Sequence, residues 1–312
     1  RSSENKMGSL CSKLFKEKLL ELDERYNQTL KEISHFIGIV DLYKTIAKVS
    51  RKYSYTRPII HAQTNEDFSQ FEDYSQFIDA KDLRHPIIER IISSEYIPND
   101  IFIGNIDNPN TPDTPDTPNP STSNSERHLN GILLYGTNAS GKSSLMKAVG
   151  LNLILAQAGF FTAASSFRFT PYHYLFTRIL NNDNIFKGES SFAVEMSELR
   201  GILKRANNRS LVLGDELCSG TESISAQAIF AASVLKLDER NTSFIFATHL
   251  HQLMEMETIR TLENTKAFHL KVIYDAETET LIYNRKLAEG NGPTTYYYDG
   301  DADGSGDPND FV

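Results

Sequence analysis

The stretch from Gly136 to Ser144 is the part of this sequence whose residue types and spacing point most directly to chemistry. It reads GTNASGKSS and fits the pattern G-x-x-x-x-G-K-[ST] of loops that bind phosphate groups. In such a loop the backbone N–H groups surround phosphate oxygens, the lysine reaches the terminal phosphates and the following hydroxyl ligates Mg²⁺. The candidate nucleotide-binding residues are therefore Gly136, Thr137, Asn138, Ala139, Ser140, Gly141, Lys142, Ser143 and Ser144.

The residues on either side of this loop supply the context that the motif requires. An apolar segment at 132–135 predicts a strand before the loop, and residues 142–155 predict a helix that begins at the lysine. The N-terminus of that helix adds a positive partial charge next to the phosphates. A turn without a ligand would need neither the lysine nor the serine, so the sequence predicts a site for ATP and Mg²⁺.

Two adjacent carboxylates, Asp215 and Glu216, end a second apolar segment 73 residues after Lys142. In ATPases with a phosphate loop, an aspartate at this position holds the Mg²⁺ shell, and we expect Glu216 to orient or deprotonate the attacking water. His249 ends a further apolar segment, and we expect it to contact the γ-phosphate or that water; His251 is expected at the surface. Each of these residues alone fits a structural role, but together with the loop they favour ATP hydrolysis, in which positioning dominates.

Ser190 and Ser191 precede a predicted helix at 192–206. Serine at a helix start is an ordinary cap, and it also offers a hydroxyl and free N–H groups to an anion. The residues alone leave both interpretations open.

The pattern of apolar segments predicts an α/β fold with a mostly parallel sheet flanked by helices, preceded by a long helical segment. Residues 10–50 predict one or two amphipathic helices, and short strands of a smaller sheet are predicted at 58–60, 77–80, 84–88 and 101–103. Later strands are predicted at 132–135, 174–178, 211–213 and 244–247, helices at 224–237 and 250–256, and a hairpin at 267–274 and 280–287. The predicted domains are a helical segment at 1–52, a nucleotide domain at 53–296 with a flexible Pro-rich insertion at 105–126, and a disordered acidic tail at 297–312.

Composition and charge exclude some classes of protein. No apolar run approaches the ~20 residues of a membrane span, and Cys11 and Cys218 make no disulfide framework, so we expect an intracellular protein without a membrane partner. The net charge of −9 includes five aspartates in the last fourteen residues, without which it is −4, and no basic run alternates with aromatic residues, as a base-reading module requires. Because the chain begins with Arg1, we expect it to be part of a longer protein.

The chain resembles the C-terminal part of the MutS family, the DNA mismatch-repair ATPases of the ABC superfamily. Seven stretches carry the resemblance, in matching order and spacing, between about residues 32 and 296. They are RHPIIE from Arg84, YIPND from Tyr96, the GTNASGKSS loop, SSFAVEMSE from Ser190, SLVLGDELCSGTES from Ser210, ATHLHQL from Ala247, and Glu289-Gly290.

The resemblance implies an ABC-type P-loop ATPase that works as a head-to-tail homodimer or heterodimer, with each nucleotide between two subunits. Ser190 and Ser191 would then contact the γ-phosphate across the interface, and Tyr96 would stack on adenine. Residues 1–52 would be the end of a lever that couples nucleotide state to mismatched or damaged duplex DNA, which is bound mostly by regions outside this chain.

Three features depart from the family pattern. Gly214 replaces a larger apolar residue, which we expect to loosen its strand; the Pro-rich insertion is atypical; and the acidic tail replaces helices that strengthen dimerisation.

Two alternatives stay open. One is another ABC-type ATPase, although 73 residues leave no room for a long coiled coil and the LSGGQ signature is missing. The other is a nucleotide-gated DNA clamp with little turnover, which the shortened end favours and the intact Glu216 does not.

Overall fold

The structure is a computed structural model that describes residues 2–61, 76–106, 127–137, 140–179, 191–218, 222–275 and 280–292. The acidic tail, all but the first two residues of the Pro-rich insertion, and the site residues Asn138, Ala139 and Ser190 lie outside these ranges. The chain divides into two compact units, Arg1–Tyr53 and Ser54–Val312.

The first unit is a single helix, α1 (Ser2–Tyr53), where the sequence predicted one or two. Residues 2–53 contain no proline that would interrupt the helix. Pairs of opposite charge one turn apart support it, such as Lys18 and Glu21 with 2.7 Å between Nζ and Oε2. In the described part of the chain, no helix combines the length and the hydropathy that crossing a membrane requires.

A five-stranded, mostly antiparallel sheet begins the second unit, with strand order β1–β6–β2–β3–β4. Only the pair β1–β6 is parallel. Its inward side chains, among them Ile78, Ile103 and Phe169, are fully buried. The strands are β1 (Ile59–Ile60), β2 (Phe77–Leu83), β3 (Asn99–Ile106), β4 (Arg127–Leu129) and β6 (Ser166–Phe169).

The strand predicted at 84–88 is wrong. Residues 84–87 form a turn that leads into the short helix α2 (Ile88–Ile91). Pro86 has no N–H for a strand ladder, and the buried His85 caps the turn, because its Nδ1 accepts hydrogen bonds from the backbone N–H groups of Ile87 and Ile88 at 3.2 Å each.

The second sheet has six strands in the order β11–β10–β5–β9–β8–β7, and all neighbours are parallel except the hairpin β10–β11. The prediction of an α/β fold with a mostly parallel sheet is therefore confirmed. The strands are β5 (Gly131–Tyr135), β7 (Tyr174–Arg178), β8 (Ser210–Asp215), β9 (Ser243–Ala247), β10 (Thr265–Asp275) and β11 (Thr280–Glu289).

Helices bury both faces of this sheet. Met146 and Val149 of α3 pack in one apolar cluster with Leu213, while Phe230 of α5 packs in the other with Phe246. The helix predicted at 250–256 is a 3₁₀ turn followed by a short α-helix. The helices are α3 (Lys142–Gln157), α4 (Ser191–Arg205), α5 (Ser223–Asp238), the 3₁₀ helix (His251–Glu255) and α6 (Glu257–Arg260).

Gly214 does not loosen its strand as expected. β8 is buried along its whole length and pairs with β7 on one side and β9 on the other. A Cβ atom at Gly214 would lie 2.8 Å from the ring of Phe246, so this ring occupies the space that a larger residue would fill.

Candidate functional site

The candidate site lies where β5, β8 and β9 end. These three strands are parallel neighbours, so their carboxyl ends lie at one edge of the sheet, where α/β proteins bind ligands. The loop from Gly136 follows β5, Asp215 ends β8 with Glu216 after it, and His249 comes two residues after β9. The fold thus brings the three sequence motifs to the same edge.

Two glycines shape the loop between β5 and α3. Gly136 has φ +146° and Gly141 has φ +108°, both in the region that L side chains rarely adopt. A Cβ atom at Gly136 would also lie 2.8 Å from Oγ of Ser140. Lys142, Ser143 and Ser144 form the first turn of α3, where backbone N–H groups have no partner within the helix and can face an anion.

Two buried hydroxyl groups of this loop have no hydrogen-bond partner among the described residues, Oγ1 of Thr137 and Oγ of Ser140. Only 1% of Ser140 is exposed. A buried polar group without a partner is costly. A hydroxyl group can donate a hydrogen bond to a phosphate oxygen.

Lys142 is 5% exposed. Its Nζ donates hydrogen bonds to the backbone oxygens of Gly136, at 2.6 Å, and Thr137, at 3.1 Å. Burial lowers the pKa of Lys142 from its ordinary value, while the negative charges of Glu216 and Asp215 oppose that shift. The two backbone oxygens therefore hold the ammonium group inside the loop, and the two carboxylates of the second motif favour its charged form.

The turn after β8 positions Glu216. Its backbone N–H donates to the oxygen of Ala247 at 3.0 Å, which extends the pairing with β9 by one residue. Glu216 then has φ +49°, a left-handed conformation that turns the chain away from the sheet. Asp215, immediately before it, is 6% exposed.

His249 lies between Glu216 and Lys142. Its Nε2 lies 2.8 Å from Oε1 of Glu216 and 3.5 Å from Nζ of Lys142. One ring nitrogen cannot serve both groups, because it donates to Glu216 when it carries a proton and accepts from Lys142 when it does not. The predicted pair of catalytic candidates, Glu216 and His249, is therefore in direct contact.

His251 is not the surface residue that the sequence suggested. Its ring is half-buried against Tyr135, with 5.1 Å between ring centroids. Its Nδ1 is buried and has no hydrogen-bond partner in the described part of the chain. Burial and the neighbouring His249 and Lys142 lower the pKa of His251, which favours the neutral ring.

Tyr96 lines a pocket of about 130 Å³ next to the phosphate loop, together with Ser140, Gly141 and Ser144. Burial raises the pKa of Tyr96 and keeps the phenol neutral. The pocket is also lined by Arg285, which the sequence did not indicate.

Arg285 enters the pocket through an irregular part of β11. It has φ +57°, and its backbone oxygen accepts a hydrogen bond from Nδ2 of Asn99 at 3.0 Å. Oδ1 of Asn99 also accepts from the N–H of Leu287 at 2.7 Å. Asn99 thus ties β3, near Tyr96, to the hairpin, and no local motif signals this contact.

The remaining predicted residues are only partly described. Ser191 is the first residue of α4. Ser190, Asn138 and Ala139 lie outside the described residues, as does the loop at 219–221.

The family model for MutS domain V matches residues 132–299. Among similar proteins, a putative DNA mismatch repair protein mutS homolog (L359) of Acanthamoeba polyphaga mimivirus is 37% identical over 307 residues, covering 93% of this chain and 26% of that protein. The mitochondrial DNA mismatch repair protein mutS homolog of Sarcophyton glaucum is 34% identical over 294 residues, which cover 94% of this chain and 26% of that protein. The DNA mismatch repair protein MutS of Caldanaerobacter subterraneus subsp. tengcongensis is 30% identical over 292 residues, which cover 90% of this chain and 29% of that protein. The chain thus spans little more than a quarter of the length of these relatives.

Proposed function

Because the chain belongs to the MutS family through its domain V, we propose that it binds ATP with Mg²⁺ and hydrolyses ATP to ADP and phosphate. One observation carries this proposal: Lys142, Asp215, Glu216 and His249 converge at one sheet edge beside a loop with unpartnered buried hydroxyls. A loop of purely structural use would gain nothing from this combination.

The loop residues fit the phosphates of a nucleotide. Hydroxyls of Thr137 and Ser140, the first N–H groups of α3 and the ammonium of Lys142 are all donors, and phosphate oxygens are all acceptors. Binding would give the two buried hydroxyls the partners that they lack among the described residues.

Ser143 and Asp215 would hold Mg²⁺ together with phosphate oxygens. No group of three or more His, Cys, Asp or Glu among the described residues could hold a metal ion by itself. Mg²⁺ commonly uses one or two carboxylates with water and substrate phosphates, so one hydroxyl and one carboxylate suit it. Bound there, Mg²⁺ supplies charge neutralisation at the phosphates.

Glu216 is the residue that we propose to orient the attacking water and to accept its proton. His249 holds Oε1 of Glu216 at 2.8 Å, which restricts the carboxylate to one direction. Nζ of Lys142 lies 3.5 Å from the same ring nitrogen, so this pair stands next to the phosphate loop. Positioning of this kind provides much of the rate enhancement in phosphoryl transfer.

Tyr96 and Arg285 would hold the base of the nucleotide. The neutral phenol ring of Tyr96 offers an aromatic surface for adenine, and Arg285 offers a planar guanidinium group that also stacks on aromatic rings. The pocket adjoins Ser144 of the phosphate loop, as a base linked to the phosphates requires.

We propose that this ATPase is a module of a MutS-like DNA mismatch-repair protein. The relatives carry that name, and the family resemblance supports a homodimer or heterodimer in which Ser190 and Ser191 contact the partner's nucleotide. In this proposal α1 transmits nucleotide state to DNA-binding regions outside the chain. Two free cysteines, Cys11 and Cys218, accord with an intracellular location.

Steady-state ATP hydrolysis, measured against protein concentration with and without duplex DNA, tests the proposal. If each site needs two subunits, turnover per chain rises with concentration, and DNA stimulates it if the repair role is correct. Hydrolysis that is absent at every concentration, while ATP still binds, would favour the clamp with little turnover. Turnover that is independent of concentration and of DNA would contradict composite sites and the coupling to DNA.

A further inference from the structure

Glu195, on α4, is a buried carboxylate that the proposed ATPase mechanism does not use. It is 5% exposed, and its Oε1 accepts a hydrogen bond from the backbone N–H of Cys218 at 2.8 Å. Glutamate is rarely buried to this extent unless it is paired. The contact joins α4 to the loop after β8 across 23 residues of sequence.

The loop that Glu195 holds has an unfavourable backbone conformation. Glu216 has φ +49° and Cys218 has φ +66°, and neither is glycine. Left-handed residues with side chains persist only where their surroundings determine the conformation. A charged acceptor for the Cys218 N–H is one such determinant.

The backbone amide of Cys218, rather than its thiol, is the partner of Glu195. Burial, with a contribution from the charge of Glu195, raises the pKa of the Cys218 thiol to about 11. The thiol is therefore neutral at physiological pH and forms no ion pair. The function of the contact is to fix the chain two residues after Glu216, the residue whose carboxylate meets His249.

The same helix begins at the segment that the family resemblance associates with a second nucleotide. Ser191 is the first residue of α4, and Glu195 lies about one turn later along the helix. A shift of α4 would therefore pull on the loop of Glu216 through this buried hydrogen bond, in addition to the apolar packing that the two segments share.

We propose that Glu195 is a positioning residue, whose carboxylate ties the loop of Glu216 to α4 so that the direction of the Glu216 carboxylate depends on the position of that helix. This inference rests on the proposed ATPase function. In this role Glu195 makes no contact with the nucleotide.

Two conservative variants separate the reach of the side chain from its charge. Glu195→Asp keeps the charge but is one methylene too short, whereas Glu195→Gln keeps the length and an acceptor oxygen. With Glu195→Asp, kcat should fall by about 10- to 100-fold, because a misplacement of about 1 Å can cost about 10²-fold, and KM for ATP should stay unchanged. Glu195→Gln should retain most of the turnover.

Glu198→Asp is the matched control on the same helix. Glu198 is half-exposed and pairs with Arg178, with 3.0 Å between Oε2 and Nε. Shortening it should leave both kcat and KM close to those of the wild type. A fall in kcat equal to that of Glu195→Asp would show a general effect of altering α4 and would overturn the proposal.

Hydrogen exchange of the Cys218 amide, measured without nucleotide, provides a readout that does not depend on activity. It should be fast in Glu195→Asp and slow in Glu195→Gln, with the amides of α4 protected in both. Wild-type turnover in a variant that has lost this protection would overturn the proposal, as would lower turnover with Gln than with Asp. If Glu195→Asp does not fold, Glu195→Gln decides: retained protection with retained turnover supports the proposal, and retained protection with a large loss of turnover overturns it.

This readout also separates the two levels of inference. If the wild type proves not to hydrolyse ATP, the proposed function fails, yet slow exchange at Cys218 that is lost with Asp would still show that Glu195 holds the loop. If the wild type hydrolyses ATP and the exchange rates do not differ, the inference about Glu195 fails alone.

Discussion

Replacing Lys142 with methionine should remove about half or more of the nucleotide-induced stabilisation while leaving the unliganded protein almost as stable as before. Methionine keeps the length of the buried stem and removes the ammonium group, which donates to Gly136 and Thr137. The loss of these bonds is offset by the removal of a charge whose pKa burial already lowers. Burying a charged group is itself costly, and the substitution removes that cost.

The expected size of the effect follows from linkage between binding and folding. At an ATP concentration of 100 Kd, the wild type gains about 2.7 kcal/mol, which corresponds to a rise in Tm of roughly 5–10 °C for a unit of this size. One charge-assisted hydrogen bond is worth about 1.5–3 kcal/mol, or about 10- to 100-fold in affinity. At the same ATP concentration, the stabilisation of Lys142→Met should therefore be only about 0.4–1.4 kcal/mol.

Thermal unfolding with and without Mg²⁺ and ATP measures both quantities. Lys147→Met is the matched control, because Lys147 is an exposed lysine of the same helix, α3. Its response to ATP should equal that of the wild type. A full Tm shift in Lys142→Met would refute the assignment of the loop, and a large loss of Tm without nucleotide would show that Lys142 serves the fold instead.

Three substitutions test what stabilises the fold. Gly214→Val should cost about 1–3 kcal/mol in urea unfolding, because its Cβ would meet the ring of Phe246 at 2.8 Å; an unchanged midpoint would mean that this ring has room to move. Asn152→Leu should cost roughly 2–5 kcal/mol, because each buried group that loses its partner costs about 1–3 kcal/mol. The fully buried Asn152 accepts from the N–H of Ala163 at 2.7 Å and donates to the backbone oxygens of Arg84 and Ala148. A smaller loss would contradict its role in joining α3 to the segments at Arg84 and Ala163. Burial lowers the pKa of His85 below its ordinary 6.5, so the unfolded chain binds the proton more readily, and the free energy of unfolding should fall as pH drops below 6.5. In His85→Asn this pH dependence should be lost. If the free energy of unfolding falls equally with pH in the variant and the wild type, other groups cause the dependence.

Much of the candidate site could be predicted because its residues are close in sequence to the strands that carry them. Lys142 follows its strand within seven residues, and Asp215 and His249 stand at or just after the ends of two others. Because these strands pair in parallel, their carboxyl ends lie at the same edge of the sheet. Each of these residues is close in sequence to its strand, so a single sequence suffices to predict where it lies.

The other half of the site depends on contacts between distant segments. Arg285 is 189 residues from Tyr96, and its place in the pocket depends on a hairpin irregularity and on a hydrogen bond from Asn99. The strand predicted at 84–88 is wrong for a related reason. The apolar residues after Pro86 have the pattern of a strand, and only the folded chain shows that the imidazole of His85 caps a turn. Two further contacts have no local pattern in the sequence. They are the hydrogen bond between Glu195 and Cys218 and the packing of the Phe246 ring into the space beside Gly214.

Glu216→Gln tests the central claim most directly, when single-turnover ATP hydrolysis and the ATP-induced rise in Tm are measured on the same preparation. The amide keeps the shape of the side chain and its contact distance to His249 but cannot accept the proton of the attacking water. We predict a rise in Tm equal to that of the wild type, with hydrolysis slower by about 10²- to 10⁴-fold. Hydrolysis at the wild-type rate in this variant would contradict a hydrolytic site built on Glu216.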